Sequence, residues 1–227
     1  HLSIRRQRQM CIRDSEYTGG QVRMRSSCSS DGGATWSTPV AIDGDVYGGS
    51  DPNVAMSGDN VVAVWHKNAG DTWHLYCNYS SDGGDTWEGA EVMASGAGYS
   101  SETIDCYPRI AMGGGHVVVV WWTNHSDAGN WLKDCHSIHS ADSGVTWDAP
   151  QIISSATEGY PPRVAMSGLN VLAVWNDNGG NTTIRANRST DGGATWEGIT
   201  TLDNGALGAK YSPQVAMSGS QVVAVWY

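Results

Sequence analysis

Phenylalanine is absent from this 227-residue chain, while tryptophan occurs 11 times. An imbalance of that kind fits one Trp-bearing unit copied repeatedly better than an ordinary mixed core. Charged residues are scarce at 16%, and the basic sign is the scarcer, 13 Lys and Arg against 23 Asp and Glu. The resulting formal charge of −10 argues against nucleic acid or an anionic membrane as a partner. No apolar run approaches the roughly 20 residues of a membrane-spanning helix, so membrane insertion is not expected. No segment carries a convincing helical period. The five cysteines include no CxxC pair, which disfavours a zinc knuckle, and neither a metal nor a cofactor is expected. Glycine, in contrast, stands at 29 residues, about twice its usual share.

The N-terminus differs from everything after it. "RRQRQMCIRDS" (Arg5–Ser15) holds four of the 13 basic residues and matches no repeat. Codon for codon it resembles a transposase-based sequencing adapter, so residues 1–15 are expected to be a translated artefact outside the fold. Without them the balance is 9 basic against 22 acidic residues, or −13.

Two motifs alternate along the remainder. The first is "SSDGGATW" at 29–36, "SSDGGDTW" at 80–87, "SADSGVTW" at 140–147 and "STDGGATW" at 189–196. The second is "DPNVAMSGDNVVAVWH" (51–66), with counterparts at 107–122, 161–176 and 211–227. The aspartates Asp31, Asp82, Asp142 and Asp191 are 51, 60 and 49 residues apart. Ala55, Ala111, Ala165 and Ala216 are separated by 56, 54 and 51. A period near 50 points to a propeller or solenoid.

Within each unit the pattern is all β. Short valine-rich runs split by Ser-Gly-Asp-Asn turns read as an antiparallel hairpin. The second run is apolar at every position, as in a strand covered on both faces. An alternating segment such as "TIRANRS" (183–189), the aspartate motif and a weaker strand such as "AEVMAS" (90–95) complete four strands per unit. That is the make-up of a propeller blade. The expected fold is therefore an all-β propeller of four-stranded antiparallel blades over 16–227. Its units span about 16–46, 51–97, 107–155, 161–206 and 211–227, giving three complete blades and two half-blades.

Ser-x-Asp-x-Gly-x-Thr-Trp resembles the Asp-box of bacterial neuraminidase (BNR) repeats, found in sialidase-like β-propellers. The resemblance runs from about Gln21 to the C-terminus and rests on four copies in register. The phase, with half-units at both ends, is that of a truncated propeller, or else of a four-bladed ring closed by joining the halves. An unclosed fragment is expected to expose apolar strand edges and aggregate. The resemblance further implies an extracellular or cell-surface protein of microbial origin; oligomeric state is not legible.

A recurring aspartate suggests chemistry, yet a catalytic group is needed once and in an asymmetric setting. Asp31, Asp82, Asp142 and Asp191, with Trp36, Trp87, Trp147 and Trp196, are therefore read as turn-locking structure. Calcium is the competing reading, but one carboxylate per turn falls short of the six to eight oxygens it prefers. Counted back from the box, Cys77 and Cys135 fall where other units carry small or apolar residues, and are read as buried hydrophobes. Cys106 and Cys135 share one unit and are candidates for a disulfide. "DCHSIH" (134–139) places Cys135 and His139 on one strand face and His136 on the other, a poor metal set. Asn78, Asn124, Asn181 and Asn187 open Asn-x-Ser/Thr sequons.

Function belongs where the units differ. The position before Val/Ile-Ala-Met holds Asn53, Arg109, Arg163 and Gln214, with Asp51, Asp105, Tyr107, Glu158, Tyr160 and Tyr211 upstream. After the second strand come His66, Trp122 and Asp177. Around a common axis Arg109 and Arg163 point to one mouth, where arginines can fork onto a carboxylate. The competing reading has them paired with Asp or Glu, sealing the channel. Ligand-binding candidates are Arg109, Arg163, Tyr107, Tyr211 and His66, with a glycan or other small anion as the partner. The sialidase resemblance implies three carboxylate-binding arginines, a tyrosine nucleophile with its glutamate, and an acid/base aspartate. The nearest matches for the catalytic set are Tyr160, Glu158 and Asp105, while Arg23, Arg25, Arg185 and Arg188 fall on third strands. The expected function is an extracellular carbohydrate-binding or scaffold module. The alternatives are an exo-sialidase whose other residues lie in absent blades, and a purely structural repeat module.

Overall fold

A computed structural model describes residues 22–44, 48–69, 72–95, 107–127, 130–154, 161–177, 182–203, 208 and 210–227. Sixteen strands run through them, and no helix. The first two, β1 (Arg25–Ser26) and β2 (Val40–Ala41), form a two-stranded antiparallel sheet. Three four-stranded antiparallel sheets follow. They comprise β3 (Gly49–Ser57), β4 (Asn60–Ala69), β5 (Thr72–Ser80) and β6 (Glu91–Ser95); then β7 (Arg109–Gly113), β8 (His116–Asp127), β9 (Asn130–Ser140) and β10 (Gln151–Ile152); then β11 (Arg163–Ser167), β12 (Asn170–Asp177), β13 (Thr183–Ser189) and β14 (Ile199–Thr201). A final pair, β15 (Gln214–Ser218) and β16 (Gln221–Val225), makes the second half-sheet. Three blades and two half-blades are thus present, in the phase that the repeats predict.

The inner hairpins share one register: Ala55 faces Val62, Ala111 faces Val118, Ala165 faces Leu172 and Ala216 faces Val223. Consecutive inner strands also pack together, β3 on β7, β7 on β11 and β11 on β15. The second strands are apolar throughout because each is a filling between two sheets. Ala63 and Trp65 on β4 face Met24 and Ile42 of the preceding half-sheet. Val62 and Val64, on the other face, meet Ile110, Val117, Val119 and Trp121. Val118 and Val120 turn towards Val171, Ala173 and Trp175 of the next sheet. A strand presents alternate side chains to opposite faces, so one valine run serves two cores. On β16 the same pattern meets no further sheet among the described residues: Val223 and Val225 are 63% and 57% exposed.

The box residues lock the turn between third and fourth strands, identically in all four copies. In the first, Ser29 Oγ donates to Asp31 Oδ1 at 2.7 Å and accepts the Gly33 N–H at 2.8 Å. Asp31 then accepts the Thr35 N–H at 3.0 Å and the Thr35 hydroxyl at 2.6 Å. Hydrogen bonds from Thr35 and Ser29 hold the Asp31 carboxyl well below its usual range. The Thr86 hydroxyl and N–H, with Ser80, bring Asp82 down to about 2. At Asp191 burial pulls upward, but Thr195 and Ser189 outweigh it and the value is again about 2. The hydrogen bonds of the box reach each aspartate from its own turn, as a structural role requires. The first box glycine adopts φ of 77°, 79° and 80° at Gly32, Gly83 and Gly192; Ser143 takes that place in the third copy at 63°.

Box tryptophans also bolt each sheet to the one before it. Trp196 Nε1 donates to Ser137 Oγ at 2.9 Å. Trp147 packs against the core cluster that contains Cys77, and burial pushes the Cys77 thiol up to about 12, with Glu91 adding to the rise. At the first interface Trp87 packs against the cluster of Met24, Ile42, Ala63 and Trp65. Ser137, Cys77 and Ser26 each lie five residues before a box aspartate. Trp36 has no preceding sheet against it among the described residues; it is 43% exposed and turns its N–H to Gly33 O of its own box. A second bolt explains two of the sequons. Asn78 Nδ2 donates to Ile42 O and Asn187 Nδ2 to Ile153 O, at 2.7 and 3.1 Å, and both side chains are buried. The serine of each of these sequons is the box serine, so the motif arises from the fold and neither asparagine presents an amide for glycosylation. Cys28, Cys77 and Cys135 are free, buried thiols; Cys106 lies outside the described residues.

Candidate functional site

Turns between first and second strands and the Asp-boxes lie at one end of the sheets. The starts of the inner strands and the ends of the second strands lie at the other. There each inner strand is entered through a proline, Pro52, Pro108, Pro162 or Pro213, followed by Asn53, Arg109, Arg163 or Gln214. Proline fixes φ and lacks an N–H, which suits the first residue of an unpaired strand edge.

Arg109 and Arg163 are both half-buried. Arg109 Nη1 donates to Pro108 O at 2.9 Å and Arg163 Nη1 to Pro162 O at 3.5 Å. Among the described residues neither forms an ion pair. The contrast with the third-strand arginines is direct. Arg23 pairs with Asp43 at 3.0 Å, Arg185 with Asp177 at 3.3 Å and Arg188 with Glu197 at 3.4 Å. Burial lowers the Arg109 guanidinium from its ordinary value, and the charge of Asp51 opposes that. Burial also lowers Arg163, and the positive charge of Arg109 lowers it further. The two cations therefore sense each other across neighbouring sheets, with one bulky acid, Asp51, in range but committed elsewhere.

That commitment is to His66, whose Nε2 lies 3.1 Å from Asp51 Oδ2. Asp51 sits at a register shift in β3 with a φ of 51°, left-handed for a residue that is not glycine. His66 starts an aromatic row. Its ring centroid is 4.7 Å from that of Trp73 and 6.3 Å from that of Tyr107. Tyr107 is in turn 6.5 Å from Trp122, and Lys133 Nζ stands 3.8 Å over the Trp122 ring. Trp122 and His66 are buried, whereas Tyr107 is 38% exposed.

Of the residues singled out from sequence, Arg109, Arg163, Tyr107 and His66 gather at this end of two adjacent sheets and their neighbour. Tyr211 stands at the start of the last half-sheet, its ring 6.1 Å from Tyr227. Asp105, Glu158 and Tyr160 lie outside the described residues. Trp73 and Lys133 escaped the sequence reading, although each stands nine residues before a box aspartate and so at one equivalent position. His136 is occupied in stacking on Trp121 at 5.5 Å, and His139 in a hydrogen bond to Asp148. No group of three or more metal-ligating side chains occurs among the described residues.

Blades of four antiparallel strands, each closed by an Asp-box and stacked through its inner strand, define an Asp-box β-propeller. The BNR repeat-like domain model matches residues 14–223, and the chain belongs to that family. No curated protein sequence matches it. Among solved structures, Trypanosoma rangeli sialidase is similar at 13% identity with a TM-score of 0.56, over 96% of this chain and 38% of the sialidase. The same enzyme in complex with the inhibitor DANA gives 15% identity and a TM-score of 0.55, over 96% and 38%. Its mutant displaying trans-sialidase activity gives 15% and 0.56, over 83% and 35%. Likeness at such identities is one of fold. The chain spans little more than a third of the length of these sialidases.

Proposed function

We propose that this chain is a carbohydrate-binding propeller module that takes a carboxylated sugar at the mouth formed by Arg109 and Arg163, with Tyr107, His66 and Tyr211 around it. One observation carries the reading: in a strongly acidic chain, these two half-buried guanidiniums have no carboxylate partner among the described residues. Burying a cation without an anion costs stability. Such a cost is retained where a ligand supplies the anion, and arginine's planar fork suits a carboxylate. The placement proposed for the module is extracellular or at the cell surface; no helix among the described residues is long and apolar enough to cross a membrane.

A hydrolase is the second reading, favoured by the sialidase-like fold, with Asp105, Glu158 and Tyr160 as its candidate residues. One experiment separates the two. The chain is offered a fluorogenic sialoside for turnover, and N-acetylneuraminic acid and glucuronic acid for binding by calorimetry. Binding without turnover, lost in Arg109→Ala and Arg163→Ala, supports the module. Turnover abolished by the same substitutions supports the hydrolase. Binding that survives both substitutions sinks the arginine site.

A further inference from the structure

We infer that His116 and His139 form a two-imidazole site for a divalent transition-metal ion, at the box end of the β7–β10 sheet and opposite the arginine mouth. His116 opens β8 and His139 is the penultimate residue of β9, and His116 Nδ1 lies 3.1 Å from His139 Nε2. On its other side His139 Nδ1 is 2.8 Å from Asp148 Oδ2. A carboxylate only accepts, so His139 carries its proton on Nδ1 and turns the bare Nε2 lone pair towards His116. A carboxylate behind an imidazole is the arrangement that orients metal-binding histidines. Two nitrogens held at about 2.0–2.1 Å from one ion, at right or tetrahedral angles, stand about 2.9–3.4 Å apart. The observed separation falls inside that range, so a turn of each ring brings both lone pairs onto an ion beside the N···N line. The proton of His116 Nδ1 then passes to solvent and Nε2 takes one up, which leaves the imidazole neutral.

Comparison of the repeats gives the second observation. His116 faces Gly113 where Asn60 faces Ser57 and Asn170 faces Ser167. His139 stands three residues before its box aspartate, where the other units carry Cys28, Tyr79 and Arg188. Asp148 stands six residues after it, in the place of Ser37, Glu88 and Glu197. The third complete sheet fills these last two places with the Arg188–Glu197 ion pair, so the fold can tie this corner without histidine. Only the β7–β10 sheet sets two imidazoles and a carboxylate in line. The surroundings suit an ion: His139 is buried while His116 is partly exposed, which provides an entry path. Gly192 of the neighbouring box has no Cβ to fill the space beside the ring, where one would stand 2.5 Å from His116 Nδ1. Imidazole nitrogen selects zinc, copper or nickel over calcium and magnesium, and a chain of charge −10 favours a cation. With two protein ligands, water completes the coordination and the ion exchanges freely. His139 drew notice in the sequence beside Cys135 and His136 of its own strand; its partner comes from β8.

Zinc(II) titrated into the whole chain by calorimetry tests the site, with binding expected at micromolar concentration. The repeats supply variants that suit the fold: His116→Asn takes the residue of the two neighbouring sheets, and His139→Tyr takes that of β5. Each is expected to weaken binding at least tenfold, once circular dichroism shows it folded. Asp148→Asn, which removes an orienting group and no ligand, is expected to cost about tenfold. Copper(II) as a second probe reads the ligands directly: electron paramagnetic resonance is expected to show two imidazole nitrogens in the wild-type chain and one in His116→Asn. Zinc binding of equal strength in the wild type and both histidine variants overturns the site, because the ion then sits elsewhere. Absence of zinc binding up to millimolar concentration overturns it as well.

Discussion

Methionine at Arg109 or Arg163 keeps the aliphatic stem and its packing while removing the charge, so it isolates what the charge does for folding. If the guanidiniums sealed the channel through ion pairs, deleting one would strand a buried acid and cost about 3–5 kcal/mol. The described structure has no such pair. It has instead two half-buried cations, each lowered by burial, with Arg163 lowered further by Arg109. Removing one relieves desolvation and like-charge repulsion, against a hydrogen bond to a proline carbonyl, for a net stabilisation of about 0.5–1 kcal/mol. For a chain of this size that raises the melting temperature by about 1–4 °C, where loss of an ion pair lowers it by about 6–20 °C. Differential scanning calorimetry without ligand reads the sign. The same instrument reads function: a probe at 100 times its dissociation constant stabilises the wild-type chain by about 2.7 kcal/mol. The Arg109→Met/Arg163→Met double variant is expected to show no such rise. A fall beyond about 5 °C in both single variants refutes the reasoning, because it requires a carboxylate partner for each arginine.

Two further outcomes test the structural reading of the box. A Cβ at Gly193 would meet Val118 Cγ2 at 2.2 Å, whereas at Gly33, with a similar φ, it meets only Trp36 at 3.7 Å. Gly33→Ala therefore carries the backbone cost alone, about 1 kcal/mol, and Gly193→Ala adds about 1–3 kcal/mol of overpacking; urea melts that fail to rank them so contradict the bolted interface. Because the folded values of Asp82 and Asp191 lie near 2, below the ordinary carboxylate value, their contribution is complete above about pH 4. It is lost as pH falls towards 2, so the melting temperature is expected to drop across that window, and less steeply in Asp82→Asn, whose starting stability is lower.

The repeats made the blades legible, because a box and a hairpin signal recur at a fixed phase and each strand type follows from local pattern. The shared register of the four inner hairpins follows from the same alignment. Contacts between sheets were not legible. Ser137, Cys77 and Ser26 stand at one repeat position, but only proximity across some 60 residues reveals Trp196 as the donor to Ser137. Asn78 and Asn187 matched a glycosylation motif for the same reason: a local pattern does not register that Ile42 O and Ile153 O wait on the neighbouring sheet. At the mouth, sequence located Arg109 and Arg163 but could not tell a paired arginine from an unpaired one. In an acidic chain carboxylates are everywhere nearby along the sequence, and the three-dimensional distances decide.

The two ends of the blades differ in how their polar groups are used, and that difference supports the proposed site independently of any resemblance. At the box end, each box serine and aspartate hydrogen-bonds within its own turn. The inner hairpins are tied across sheets as well: Ser57 Oγ accepts the Gly114 N–H at 3.1 Å and Ser167 Oγ accepts the Gly219 N–H at 2.8 Å. Between those two ties Gly113 approaches Gly168 so closely that a Cβ would lie 2.7 Å from its carbonyl oxygen. At the opposite end two cations lack an anion among the described residues, an aspartate holds a left-handed backbone, and a tyrosine ring stands open beside buried ones. On the proposed reading, a ligand carboxylate supplies the anion that Arg109 and Arg163 lack among the described residues.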